Sequence, residues 1–471
     1  MSGAVMPIVR VAILAESRLS EIALPAELPL REILPAVQRL VAPDTDEAEP
    51  GSDPVGAARL SLGPIGGAPF SLDASLDTVG VVDGDLLALR PVPVGPAAPG
   101  IVEDIADAAV IFSASRLKPW GAAHIQRGAL AAVIGCLLAG TGLAVTHRAV
   151  SGGPVGLVAV AAIAVLAVLA SLVSRARSPR TAVALSIAAL APVAAALALV
   201  VPGNFGPANV MLGAAGVTAW SLVSMILPDR EDNRAVAFFT ATMVVGGGVL
   251  LAAGAATLWH LSYLSLGCGL LAAALLITIS AAQLSALWAR FPLPVIPAPG
   301  DPTPSAPSVR VLEDLPRRVR LSDAHQNGFI AGGVLLSVLG TVAVAARPET
   351  VAVVGWYLVG AVGLASILRA RVWDSAACKA WLLAQPFLAA AVLLVCYAAT
   401  GRYLAAGAAL LVLAVLVLVW AVAALNPTIA SPDSYSLPMR RLVGFLASTL
   451  DASLIPVMAY LVGLFSLVLN R

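Results

Sequence analysis

The 471-residue sequence predicts an α-helical polytopic membrane protein of eleven transmembrane helices, oriented N-in/C-out, with a small α+β domain in front of them. Three observations predict this class. Apolar stretches of membrane-spanning length recur after residue 127. Arginines cluster in every second loop between them. The first 92 residues instead carry the short-period patterning of a soluble domain. Composition agrees: 59% hydrophobic residues and 12% charged ones depart from a soluble globular chain, of which about 25% is charged.

The front domain, residues 1–92, begins with a strand over 7–14, with Val9, Val11 and Ile13 on one face. Residues 19–24 return beside it, turning Ile22 and Leu24 to the same core. A helix follows from Pro29, with Leu30, Ile33, Leu34, Val37, Leu40 and Val41 at helical spacing. Pro35 is expected to kink or shorten it, because proline lacks the N–H that the helix interior uses. The acidic run 44–53 reads as an exposed loop. Short strands fit 59–62 and 70–72, and an Asp83-Gly84 turn feeds an apolar final strand ending at Leu89. This ββαββ order is compatible with a β-grasp fold, and residues 79–89 resemble the closing segment of ubiquitin-like domains. No diglycine follows Leu89, so a docking module is expected rather than a conjugated modifier.

Residues 93–127 form a Pro/Gly/Ala linker followed by an amphipathic helix over 101–116, suited to the membrane surface, to a partner or to a plain connection. The spans are read at 128–146, 154–174, 182–201, 208–227, 235–258 and 261–287, then at 328–345, 351–368, 380–400, 403–425 and 442–469. Each is close to the roughly 20 residues that cross the hydrocarbon layer as a helix. The segments assigned inside hold eighteen Arg and Lys, whereas the outer ones hold only Arg148, Arg347, Arg402 and Arg471. That bias sets the orientation. The inner loop 290–327 divides the spans six plus five: a proline-dense stretch, 292–299, precedes a charged stretch in which Arg310, Arg317, Arg318 and Arg320 are candidate partner-docking residues, or anchors for the next span.

Catalytic motifs are absent. Lys118 and Lys379 are the only lysines and neither has a phosphate-loop context, while His124, His147, His260 and His325 are scattered near span edges without zinc-ligand spacing. Cys136, Cys268, Cys378 and Cys396 follow no metal or disulfide pattern. Gly267-Cys268-Gly269-Leu270-Leu271-Ala272 spells a dinucleotide fingerprint, but no strand precedes it, so it is read as helix packing, like Gly246-Gly247-Gly248 and Gly332-Gly333. Asp451 is the one acid within the spans, placed either at an interfacial helix start or as a buried functional group. Gln283 and Gln385 are expected to join helices. The acidic cluster Asp229, Glu231 and Asp232 sits beside Arg230 and Arg234 and reads as a solvated loop. Residues 1–14 lack the pattern of a signal peptide.

A front ubiquitin-like domain, an amphipathic linker and six-plus-five spans together resemble the EccD membrane subunit of mycobacterial type VII (ESX) secretion systems. The likeness spans the chain and rests on architecture and on residues 77–89 and 440–456; the Arg-over-Lys, Ala-rich composition suits a high-GC actinobacterium. The resemblance implies a non-catalytic scaffold in the bacterial inner membrane with its N-terminal domain in the cytoplasm and its C-terminus in the periplasm. It implies EccB, EccC (the ATPase) and EccE as partners, and pairing with itself as a dimer around a lipid-lined space. It implies no cofactor and no nucleic acid. The compact length points to the paralogue linked to iron acquisition. A secondary transporter is the alternative, requiring a polar midplane site or a proton relay. A lipid-handling enzyme would need acidic or histidine clusters at the membrane edge.

Overall fold

The computed structural model describes residues 7–15, 18–41, 60–65, 67–92, 120–226, 233–291, 309–426 and 436–469. The chain forms two compact units, 1–121 and 122–471. The expected acidic loop 44–53, the linker helix 101–116, the proline stretch 292–299 and the cluster Asp229 to Asp232 lie outside the described residues.

In the first unit, β1 (Ile8–Ala15) and β2 (Arg18–Pro25) pair antiparallel, α1 (Leu30–Val41) follows, and β3 (Leu60–Pro64) pairs antiparallel with β4 (Leu86–Pro91). β4 lies parallel to β1, giving the sheet order β2-β1-β4-β3 expected of a β-grasp. Alternation drives Val11, Ile13, Leu24, Leu62 and Leu87 onto one face, where Leu30, Ile33, Leu34 and Val37 of α1 cover them. The helix continues through Pro35, which is exposed, so water can reach the carbonyl that its missing N–H leaves unpaired. Leu40 points outward rather than into the core. The expected strand at 70–72 does not form, yet Phe70 still bonds back to Leu62 O through its N–H at 2.8 Å. The Asp83-Gly84 turn fastens β4 to β1: Gly84 has φ 91° and donates to Arg10 O at 2.8 Å, and Asp83 Oδ1 accepts from Arg10 N at 2.6 Å.

The second unit holds α2 (Ala122–Ser151), α3 (Pro154–Ser174), α4 (Pro179–Val200), α5 (Pro207–Ile226), α6 (Asn233–Trp259) and α7 (Tyr263–Trp288). It continues with α8 (Val309–Ala345), α9 (Val353–Arg369), α10 (Ala376–Ala399), α11 (Tyr403–Leu425), α12 (Leu437–Leu461) and α13 (Leu464–Leu469). Among the described residues, eleven helices, α2 to α12, are long and apolar enough to cross a membrane. Proline opens α3, α4 and α5, where its missing N–H is harmless.

Three spans depart clearly from expectation, the first because α2 starts at Ala122, within the expected linker 93–127, and runs on to Ser151. The segment expected as loop up to residue 327 is helical from Val309, continuous with the seventh span. Its charges do not interrupt the helix because they sit on exposed turns, with Asp314 paired to Arg318 one turn on. The last span, expected over 442–469, begins at Leu437 and ends at Leu461, where Gly463 at φ 79° starts a new short helix.

The helix α8 is the axis of the bundle. Of its most apolar stretch 78% is buried, against at most 39% in any other candidate span, and it packs on α6, α7, α9 and α10. Glycines set these contacts. A Cβ at Gly328 would lie 2.6 Å from Ala237 O on α6, and one at Gly267 on α7 would lie 2.8 Å from Gly340 O on α8. The Gly267 motif is thus a helix crossing, as its position inside a span predicts. Its neighbour Gly269 is exposed and meets nothing within 4 Å.

This distinction is testable. Gly267→Ala is expected to destabilise the detergent-solubilised protein by about 1–3 kcal/mol through overpacking, seen as a lower thermal midpoint. Gly269→Ala is expected to leave the midpoint where it is. Equal shifts in the two variants would refute the crossing.

Candidate functional site

Polar side chains are scarce inside this bundle, so their meeting point is informative. Asp451 lies within α12, between Arg441 and Pro456. Its Oδ1 accepts a hydrogen bond from Arg369 Nη2 at 2.5 Å, with the two side chains 30% and 13% exposed. Arg369, the last residue of α9, also donates through Nη1 to Thr278 Oγ1 on α7 at 3.0 Å. One guanidinium therefore ties three helices. Nearby, Tyr357 OH and Ser453 Oγ form a second bond between α9 and α12 at 2.8 Å.

In the sequence Arg369 directly follows the span read at 351–368 and counts as one more positive-inside charge. The structure brings its guanidinium to Asp451, so the acid expected either at an interfacial helix start or as a buried functional group is a paired residue within α12. An acid in a span calls for a countercharge, and that signal was present in the sequence. Spacing alone did not select Arg369 over Arg371, Arg440 or Arg441, because the choice depends on how α9 crosses α12. Arg371 lies across α12 instead: a Cβ at Gly444 would stand 3.4 Å from its Nη2.

Beside the ion pair, Thr278, Ser337, Ser366, Arg369 and Gln385 line a small cavity with room for about one or two water molecules. Gln385 is 1% exposed, and its Nε2 donates to Ser337 Oγ on α8 at 3.2 Å. It joins α10 to α8, as its polarity predicts. Gln283 is exposed on α7 and does not take that role. Ser366 Oγ donates to Leu382 O at 2.8 Å, adding a link from α9 to α10.

The arginines singled out for docking divide. The side chain of Arg310 lies outside the described residues. Arg317 and Arg318 both pair with Asp314, at 3.5 and 2.8 Å, and Arg318 also donates to Arg290 O at 2.5 Å just beyond α7. Arg318 thus braces the α7–α8 connection, whereas Arg320 is exposed. His325, expected near a span edge, is buried inside the bundle, 2.9 Å from Thr240 Oγ1 and against the Trp288 ring. Thr240 Oγ1 also lies 2.8 Å from Val236 O in its own helix, so the contact ties α8 to α6. Among the described residues, no group of three His, Cys, Asp or Glu side chains is placed to hold a metal ion, and all four cysteines are free thiols.

The pair and its neighbours join α7, α8, α9, α10 and α12 through side-chain hydrogen bonds. Removing Asp451 leaves a largely buried guanidinium without its partner. Asp451→Ala is expected to cost about 1.5–3 kcal/mol, and the Arg369→Ala/Asp451→Ala double variant less than the sum of the singles. Thermal unfolding of the four proteins checks this, and strict additivity would remove the coupling.

Comparison with known proteins places this geometry. Residues 126–470 match the family described as EccD-like transmembrane domain, and residues 8–89 match WXG100 protein secretion system (Wss), protein YukD. The ESX-3 secretion system protein EccD3 of Mycobacterium tuberculosis (strain CDC 1551 / Oshkosh) is 72% identical over 472 residues, covering 100% of each chain. That of Mycolicibacterium smegmatis is 63% identical over 474 residues, covering 99% of each. Among solved structures, protomer 1 of the ESX-3 core complex is 61% identical with a TM-score of 0.70, covering 98% of this chain and 100% of the other. A chain of the MycP5-free ESX-5 inner membrane complex in State II shares the fold, with a TM-score of 0.58 at 23% identity, covering 88% and 99%. With a matched bundle, a YukD-type ubiquitin-like domain in front of it and relatives aligned end to end, the chain belongs to the EccD family of ESX secretion system membrane proteins.

Proposed function

We propose that this chain is a non-catalytic scaffold subunit of a type VII (ESX) secretion machine of the ESX-3 kind, spanning the inner membrane eleven times with N-in/C-out topology. The observation that carries the reading is the end-to-end likeness to EccD3 proteins, together with a bundle in which Arg369, Asp451 and Gln385 join helices. In this reading residues 1–92 are a cytoplasmic docking module, 93–127 a linker, 128–289 and 328–471 the two membrane halves, and 290–327 a cytoplasmic connection. Val309 to Asn327 of that connection extend α8 as a helix that presents Arg317 and Arg320 for docking. The partners are EccB-, EccC- and EccE-type subunits, with EccC supplying ATP hydrolysis, and a second copy of the chain.

Exposed apolar surface supports the assembly reading. Only 6% of the apolar stretch of α11 is buried, and Leu404, Leu411 and Leu418 stand exposed along it, a face for lipid or for a neighbouring subunit. The transporter alternative needs a cavity that a solute fits, whereas the one beside Arg369 takes about one or two waters.

Two experiments test the proposal. Reporter fusions at residue 300 should read inside and at residue 471 outside; an inside C-terminus would overturn the orientation. A tagged chain should co-purify with the other core subunits, and deletion of residues 1–92 should weaken recovery of the ATPase while the bundle still inserts. Full recovery after the deletion would remove the docking role.

A further inference from the structure

Gln385 presents an unsolved piece of bookkeeping at the centre of the bundle. Its amide is buried in α10, and Oε1 has no hydrogen-bond partner while Nε2 is used by Ser337. Reversing the amide does not help: Oε1 would then accept from Ser337, and Nε2 would be the orphan. In either orientation one end of a buried amide faces the cavity unpaired, at a cost of the order of a hydrogen bond to water.

We propose that the cavity between α7, α8, α9, α10 and α12 is a water-binding site that holds one or two ordered water molecules against Gln385. The chemistry selects water over the other classes. A cation would sit beside the Arg369 guanidinium, which repels it. An anion finds that guanidinium already neutralised by Asp451 at 2.5 Å. A lipid tail would leave the amide unpaired. Water donates to Oε1 and accepts from a neighbour, and the space suits it. Ser366 Oγ, whose proton goes to Leu382 O, keeps its lone pairs for such a donor, and Thr278 Oγ1, whose proton goes to Ala274 O and which accepts from Arg369 Nη1, keeps one. The water thereby extends the Arg369–Asp451 clamp to Gln385, making one polar network across five helices. The inference is independent of the secretion role.

The test uses the full chain in its membrane complex, imaged by electron cryo-microscopy at a resolution that shows waters. One or two density peaks are expected about 2.7–3.2 Å from the Gln385 amide, each with a second polar neighbour in the cavity. An empty cavity, tail-like density filling it, or a peak that changes when chloride is exchanged for bromide would overturn the proposal. A second measurement needs no map. X-ray-driven hydroxyl-radical labelling, which modifies side chains beside bound water, should mark the buried cavity residues Leu271 and Leu454 well above the buried controls Ile330 and Leu336, and Gln385→Leu should bring them down to the controls. Wild-type labelling no greater than the controls would refute the site whether or not the variant folds.

Discussion

Close approach of helix backbones around α8 is the constraint on which the membrane unit depends. Within a bilayer, apolar side chains gain nothing by leaving lipid for one another, so helices hold together through dense packing and a few polar links. Gly328 and Gly332 bring α8 against α6, and Gly333 and Gly340 bring it against α7. This explains why a helix with charges in its first turns and a proline at position 316 is the most buried of the spans. Its small residues, rather than its mean hydropathy, decide where it sits.

Around that axis the other helices are held more lightly, and polar contacts carry a larger share. The helix α12 touches α9 and α7, and its largely exposed first half leaves the Arg369–Asp451 pair and the Tyr357–Ser453 bond as its specific attachments, with Leu454 and Met458 packed beside them. At the other end of the bundle's loops, Arg402 pairs with Glu349 at 2.8 Å, and Tyr397 OH donates to Ala345 O at 2.6 Å, fastening the turn before α11 to the end of α8. A subunit built this way keeps a firm centre and leaves broad apolar flanks to lipid and neighbouring chains. The front domain follows a different rule. Its core of Val11, Ile13, Leu30, Leu62 and Leu76 is driven together by exclusion of water, so a sheet and one helix suffice.

Much of this was legible from residues alone, and the reasons are specific. Span positions were readable because a helix in hydrocarbon must be apolar along its whole length, and the β-grasp pattern because β1 alternates and the Asp83-Gly84 turn leads directly into an apolar β4. The glycine pairs were readable as packing motifs, though not their partners: nothing in the sequence tells Gly267, which faces Gly340, from Gly269, which faces outward. At the candidate site, Asp451 and Gln385 stood out as polar residues in apolar surroundings. Arg369 did not, because a positive charge just past a span reads as an anchor until its side chain is seen to turn back.

By itself, then, the sequence determined the class of protein, the number of spans and the two-part organisation, since each follows from local composition and period along the chain. Only the tertiary structure decided that α8 is the axis, that Arg369 answers Asp451, and that Gln385 opens onto a polar cavity. These depend on which face of one helix meets which face of another. Side chains far apart in the chain make that choice jointly, through shape and charge, and no stretch of sequence contains it.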